Sequence, residues 1–175
     1  MKGLVHIYTG NGKGKTTAAI GLGIRAWGRN LKVLMVQFMK GLPTGEACTI
    51  EKLQPGFELR RGTEIKKFTW DMNKQELQEL AQAEQAILAH TIKDVVQGDW
   101  DILILDEIVN SVSCGIIPLT DVLAFIEDKP EKLEVVMTGR NAPEELINAA
   151  DYVTEMKEIK HPFNKGIPAR KGIEC

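Results

Sequence analysis

Thr9-Gly10-Asn11-Gly12-Lys13-Gly14-Lys15-Thr16-Thr17 follows directly on the apolar run Leu4-Val5-His6-Ile7-Tyr8. A short strand, a glycine-rich loop and then Gly-Lys-Thr opening an amphipathic segment is the layout of a P-loop. Glycines let the backbone curl until successive N–H groups point at phosphate oxygens. Lysine adds a mobile cation, and the threonine hydroxyl can ligate magnesium. The helix that follows aims its positive N-terminal end at the same anion. The general pattern asks for glycine where this chain has Thr9, so the loop is a variant with alternating Gly10, Gly12 and Gly14 and a second cation, Lys13.

On either side of this loop, apolar β-type runs alternate with helical patterns, which predicts parallel βαβ units. Strands are expected at Leu4–Tyr8, Lys32–Gln37, Asp101–Glu107, Leu133–Thr138 and Tyr152–Met156. The first helix runs from Lys15 to about Trp27. A long helix spans Asn73 to about Val96, with Asn73 and Glu76 at capping-box spacing and Leu77, Leu80, Ile87, Leu88, Ile92 and Val95 recurring at helical intervals. Further helices follow Pro118 and Asn141. Phe38–Glu46 is a Gly/Pro-punctuated loop. Phe57–Arg61 and Ile65–Thr69 are each compatible with a short strand or an extended loop. The tail from Lys157 to Cys175 is basic, rich in Gly and Pro, and without periodicity.

A length of 175 residues suits one domain over residues 1–175, and 43% hydrophobic with 26% charged residues is ordinary for a globular chain. A net charge of −2 gives no electrostatic reason to expect nucleic acid or an anionic membrane as partner. No apolar run is long enough to cross a bilayer, and the N-terminus enters a strand without a signal-like core, which favours the cytoplasm. Cys48, Cys114 and Cys175 are odd in number and widely spaced, so a disulfide framework or a zinc site is not expected. Cys114 reads as a small buried hydrophobe and Cys175 as exposed.

The expected fold class is therefore α/β: a single P-loop NTPase-like (RecA-like) domain with a mostly parallel central sheet flanked by helices. In such sheets ligands sit at the carboxyl ends of the strands. That gathers the P-loop, the loop after Gln37, Asp106-Glu107 and Thr138-Gly139-Arg140 at one edge. Four aliphatic residues ending in Asp106-Glu107 resemble a Walker B strand, whose carboxylate reaches the nucleotide's magnesium. Sequence alone does not rank Asp106 against Glu107.

Four blocks take the reading beyond a generic nucleotide-binding protein. They are Gly10-Asn11-Gly12-Lys13-Gly14-Lys15-Thr16-Thr17-Ala18-Ala19; Val36-Gln37-Phe38-Met39-Lys40-Gly41 with Gly45-Glu46; Phe68-Thr69-Trp70; and Thr138-Gly139-Arg140 with Thr154-Glu155-Met156-Lys157, Lys160-His161-Pro162-Phe163 and Gly172-Ile173-Glu174. In this order, over essentially the whole chain, they resemble the corrinoid adenosyltransferases of the CobA/BtuR type. The resemblance implies transfer of the 5′-deoxyadenosyl group of ATP to the Co(I) centre of a cobalamin or cobinamide-type corrinoid, with release of triphosphate. It implies ATP held in reversed orientation by Gly10, Asn11, Gly12, Lys13, Gly14, Lys15, Thr16 and Thr17. Magnesium, with manganese as the alternative, would be held by Thr16 and Glu107.

Arg25 matches a family arginine near the nucleotide; read by itself it is equally a solvated helix charge. Phe68 and Trp70 match an aromatic pair that packs beneath the corrin and keeps a lower axial ligand off the cobalt. Read by itself, the pair would lie on one face of an extended segment or fill the core. Lys15, Phe68 and Trp70 are the candidate catalytic residues. The sequence carries no flavin, haem or dithiol motif, so the electron has to come from an external reductant such as a flavoprotein. The resemblance also implies a homodimer. Rival readings are a P-loop kinase or ATPase acting at the γ-phosphate, and a non-catalytic ATP- or corrinoid-binding regulator. The chain departs from the family pattern at its end, with Cys175 where many members carry an aromatic residue. Only Met1, Lys2 and Gly3 precede the first strand, whereas some relatives carry an N-terminal extension that helps close the site.

Overall fold

The computed structural model describes residues 2–40, 44–62, 67 and 69–173. Four mainly apolar runs and two half-polar ones pair into a six-stranded sheet. Its strands are β1 (Val5–Thr9), β2 (Val33–Gln37), β3 (Phe57–Arg61), β4 (Ile102–Asp106), β5 (Glu134–Thr138) and β6 (Tyr152–Glu155), in the order β3-β2-β4-β5-β1-β6. Every pairing is parallel. The P-loop strand β1 is thus separated from β4, which carries Asp106, by β5 alone.

The central strands β2 and β4 are buried at every position, and apolar in all but the last, because both faces are covered. Helix α1 (Lys15–Trp27) packs through Ala19 and Ala26 on one face, against Met35, Phe57, Ile104 and Val136. On the other face Ile7, Leu34, Val36, Leu103, Leu105 and Met137 meet α3 (Lys74–Gln97), through Leu80, Leu88 and Val95. Alternate residues of one strand therefore feed two cores. Asn73 caps α3: its side chain accepts from the Gln75 and Glu76 backbone N–H groups, while Glu76 reaches back to the Asn73 N–H, the expected capping box.

Two short helices differ from the expectation. The loop after β2 includes α2 (Gly45–Glu51), and α4 (Ile108–Ser113) leaves directly from the end of β4. They are followed in the chain by α5 (Leu119–Asp128) and α6 (Glu144–Ala149). With six or seven residues, α2 and α4 are too short to show a period. Phe57–Arg61, left open by the sequence, is the edge strand β3, and Thr69–Asp71 form a 3-10 turn rather than extended chain. Residues 65, 66 and 68 lie outside the described residues, as does Cys175. Cys114 was expected inside; it is exposed, because α4 ends there and turns its last residues outward. No helix among the described residues is long and apolar enough to cross a membrane.

Candidate active site

The loop between β1 and α1 curls as its glycines allow. Gly10 has φ +96°, and a Cβ there would lie 2.5 Å from the Met156 carbonyl oxygen. That closeness is used: the Gly12 N–H donates to Met156 O at 2.6 Å, and the Met156 N–H donates to Thr9 O at 2.8 Å. The chain leaving β6 therefore braces the P-loop from outside. Inside it, Lys15 is 8% exposed and its Nζ donates to Gly10 O (2.7 Å) and Gly12 O (2.9 Å). Burial, then the nearby Arg140 charge, lowers the Lys15 pKa. A lysine so placed gains from any anion that enters the loop.

The structure separates the two carboxylates. Asp106 is fully buried, and four side chains donate to it. Thr16 Oγ1 (2.8 Å) and Thr138 Oγ1 (2.7 Å) share Oδ1, while Gln37 Nε2 (3.2 Å) and Lys40 Nζ (2.8 Å) share Oδ2. Gln37 and Lys40 also reach Glu46 Oε1, at 3.1 and 3.5 Å, and Gln37 Oε1 accepts from Arg61 Nε at 3.0 Å. The acceptor capacity of Asp106 is taken up in holding the start of α1, the end of β2 with its following loop, and the end of β5 together.

Glu107 instead faces the cleft. Its backbone is left-handed (φ 65°), an uncommon state for a non-glycine residue, and its N–H donates to Thr138 Oγ1 at 3.0 Å. That turn sends the carboxylate of Glu107 away from its neighbour's network. Burial, then the Asp106 charge, raises its pKa, while Lys40, Lys15 and Arg140 oppose the rise. Across the cleft, Asn110 Oδ1 accepts the Arg140 N–H and so fixes the turn after β5. Gly139 (φ +147°) passes so close to α4 that a Cβ would lie 2.7 Å from Asn110 N.

The cleft itself has a volume of about 360 Å³ and runs from Asn11–Thr17 past Glu107 and Arg140 to the tail. The tail side is mostly apolar, with Pro162, Phe163, Ile167, Pro168 and Ile173, and His161 at its margin. One wall thus suits an anion and the other a flat or sugar-like group. For a divalent cation the donor set fits. Thr16 donates its proton to Asp106, leaving its oxygen lone pairs for a metal, and Glu107 supplies a carboxylate on the cleft side. Both donors are hard oxygens, and so few protein ligands leave room for phosphate and water, as magnesium prefers. Among the described residues no group of three or more His, Cys, Asp or Glu forms a cage of its own.

Of the residues expected from sequence, Asn11, Gly12, Lys13, Gly14, Lys15, Thr16, Thr17 and Glu107 come together on this cleft, and Gly10 joins them through its carbonyl. Arg25 does not line it; it is exposed in the last turn of α1, with its charge near Tyr8. Trp70 sits in the 3-10 turn before α3, 76% exposed, so it does not fill the core. Phe68 lies outside the described residues. Sequence reasoning gave no role to Gln37, Lys40, Glu46, Arg61 and Thr138 around Asp106. A usable signal was present: a Gln and a Thr ending strands that are otherwise mostly apolar.

The fold and the cleft define a P-loop nucleotide-binding protein. The family described as ATP:corrinoid adenosyltransferase BtuR/CobO/CobP matches residues 1–175. The chain is similar to the corrinoid adenosyltransferase of Sinorhizobium sp., 40% identical over 99% of this chain and 80% of that one. It is also similar to those of Pseudomonas aeruginosa (38%, covering 99% and 84%) and Escherichia coli K12 (34%, covering 99% and 86%). The chain belongs to the ATP:corrinoid adenosyltransferase family.

Proposed function

We propose that this protein transfers the 5′-deoxyadenosyl group of ATP to the Co(I) centre of a corrinoid and releases triphosphate. The carrying observation is the cleft: a lysine-filled P-loop with Glu107 and Arg140 on one side and a mostly apolar tail on the other. Cobalt attacks the ribose C5′ carbon, the cobalt–carbon bond forms, and the C5′–O5′ bond breaks with its electron pair leaving on the triphosphate. Cobalt passes formally from Co(I) to Co(III). No proton has to be removed, so the residues' work is in-line placement and stabilisation of a polyanionic leaving group.

Lys15, Lys13, Arg140 and the N–H groups of the P-loop supply that stabilisation. Thr16 and Glu107 would hold a magnesium ion, which screens triphosphate charge when bound. Asp106 keeps the Thr16 hydroxyl turned so that its lone pairs face the cleft. Trp70, with Phe68, packs against the corrin; the exposure of the Trp70 ring supports this role. The protein works as a single-domain homodimer in the cytoplasm, where ATP and an external reductant for cobalt are both at hand. The open edge strand β6, with Tyr152 and Val153 exposed, supports self-association.

The test is anaerobic incubation with ATP, magnesium and chemically reduced cob(I)alamin. Wild type is expected to form light-sensitive adenosylcobalamin, and Lys15→Ala to form at least about a hundredfold less, the scale of losing one main electrostatic stabiliser. Equal rates for both would refute the assigned role of the P-loop.

A further inference from the structure

Among the described residues, one buried ionisable group stands outside the site described above. Glu84, midway along α3, is fully buried on the side of the sheet away from α1. Its carboxyl meets three other segments. Both oxygens accept from the Met39 N–H, at 3.3 Å each. A Cβ on Gly62, just after β3, would lie 2.7 Å from Glu84 Oε1, so the backbone there passes against the carboxyl. On α4, Ser111 Oγ is buried, has no hydrogen-bond partner among the described residues, and lies close enough to influence the Glu84 carboxyl.

Met39 is the informative neighbour. It has φ 51°, a left-handed conformation that a non-glycine residue adopts only when held. Its flanking residues both touch Asp106: the Phe38 N–H donates to the Asp106 carbonyl at 2.9 Å, and Lys40 Nζ reaches the Asp106 carboxylate at 2.8 Å. The grip on Met39 therefore decides whether Lys40 arrives at the carboxylate that orients Thr16. α3 also starts next to the turn holding Trp70.

We propose that Glu84 is a positioning residue for adenosyl transfer, which locks the strained Met39 turn and thereby sets Lys40 on Asp106, tying the helix next to Trp70 to the nucleotide site. This rests on the functional reading above. Burial pushes the Glu84 pKa up to about 7, with the Met39 N–H and the Ser111 hydroxyl pulling it down less strongly. No charge contributes to that shift: the loop presents Met39, β3 leads into Gly62, and α4 presents Ser111. In the neutral acid the carbonyl oxygen accepts from Met39 and the hydroxyl can donate to the Ser111 oxygen. The carboxylate still accepts from both donors, but it is a buried charge without a cation and the burial cost outweighs them, so ionisation works against the packing that holds Met39 as pH rises through about 7.

The experiment uses the full chain and two variants. Glu84→Met fills the space but cannot accept the Met39 N–H; Glu84→Gln mimics the neutral acid. Glu84→Met is expected to lower kcat about tenfold and to raise exchange of the Met39 amide hydrogen at least about tenfold, the scale of one lost hydrogen bond. Glu84→Gln should stay within about threefold of wild type at about pH 6.5, where the native carboxyl is mostly protonated. The ratio of its kcat to that of wild type should climb from there to about pH 8.5, as the native carboxyl ionises. Wild-type kcat and Met39 protection in Glu84→Met, or a pH-independent kcat ratio for Glu84→Gln, would overturn the proposal. Should Glu84→Met not fold, the Glu84→Gln pH ratio decides alone. Absence of adenosylcobalamin from wild type itself would be a failure of the functional reading, and Met39 exchange would still report on the lock.

Discussion

Replacing Glu84 by Gln should make the protein's stability less dependent on pH, by an amount the structure fixes. The carboxyl titrates at about 7 when folded against an ordinary 4.5. The folded state therefore binds the proton more tightly, and between those two values the native protein holds more protons than the unfolded one. Stability must fall as pH rises across that window. A tenfold difference in proton affinity corresponds to about 1.4 kcal/mol, so the total is about 3 kcal/mol. Roughly 2.5 kcal/mol of it falls between about pH 5 and 8 by the same linkage. The contribution is complete below pH 4.5 and lost once pH passes about 7. Urea unfolding of wild type and Glu84→Gln in small steps across that range would measure it. The stability of the variant minus that of wild type should grow by about 2.5 kcal/mol from the acid end to the alkaline end. Two curves that stay parallel would refute the burial argument, whatever their offset.

Asp106→Asn should remove the charge that Lys40 pairs with and weaken the hold on Thr16. Since Lys40 keeps 20% of its side-chain exposure, the loss should be about 2 kcal/mol, below the roughly 3–5 of a sealed pair. Denaturation would read the stability and a titration with magnesium-ATP the weakened binding. Trp70→Ala should leave Tm nearly unchanged, because the ring is 76% exposed. ATP affinity should also hold, while turnover of Co(II)alamin presented with a reductase falls at least about tenfold, as loss of an aromatic contact worth about 1.5 kcal/mol requires. Normal turnover would sink the assignment of Trp70 to the corrin.

The parallel sheet was legible because β2 and β4 are apolar on both faces, a pattern that half-solvated strands do not show. The start of α3 was legible from Asn73 and Glu76, whose capping interactions are local. β3 was ambiguous because an edge strand can carry Glu58, Arg60 and Arg61 without burying them fully. Short α4 left no periodic trace, and with it Cys114 was misplaced to the interior. The roles of Asp106 and Glu107 depend on the left-handed turn at Glu107, which no side-chain pattern announces. The ring of donors around Asp106 draws on β2, the loop after it, β5 and the first turn of α1, so it exists only once the strand order is set. Bracing of Gly12 by Met156 spans most of the chain and was equally beyond local reading.

Which bond of ATP is broken separates adenosyl transfer from phosphoryl transfer. Phosphorus NMR of the products formed anaerobically from ATP and cob(I)alamin reads this directly. Cleavage at C5′ predicts intact triphosphate, one for each adenosylcobalamin formed, with no ADP. ADP and inorganic phosphate in its place would show attack at the γ-phosphate and contradict the assignment of adenosyl transfer.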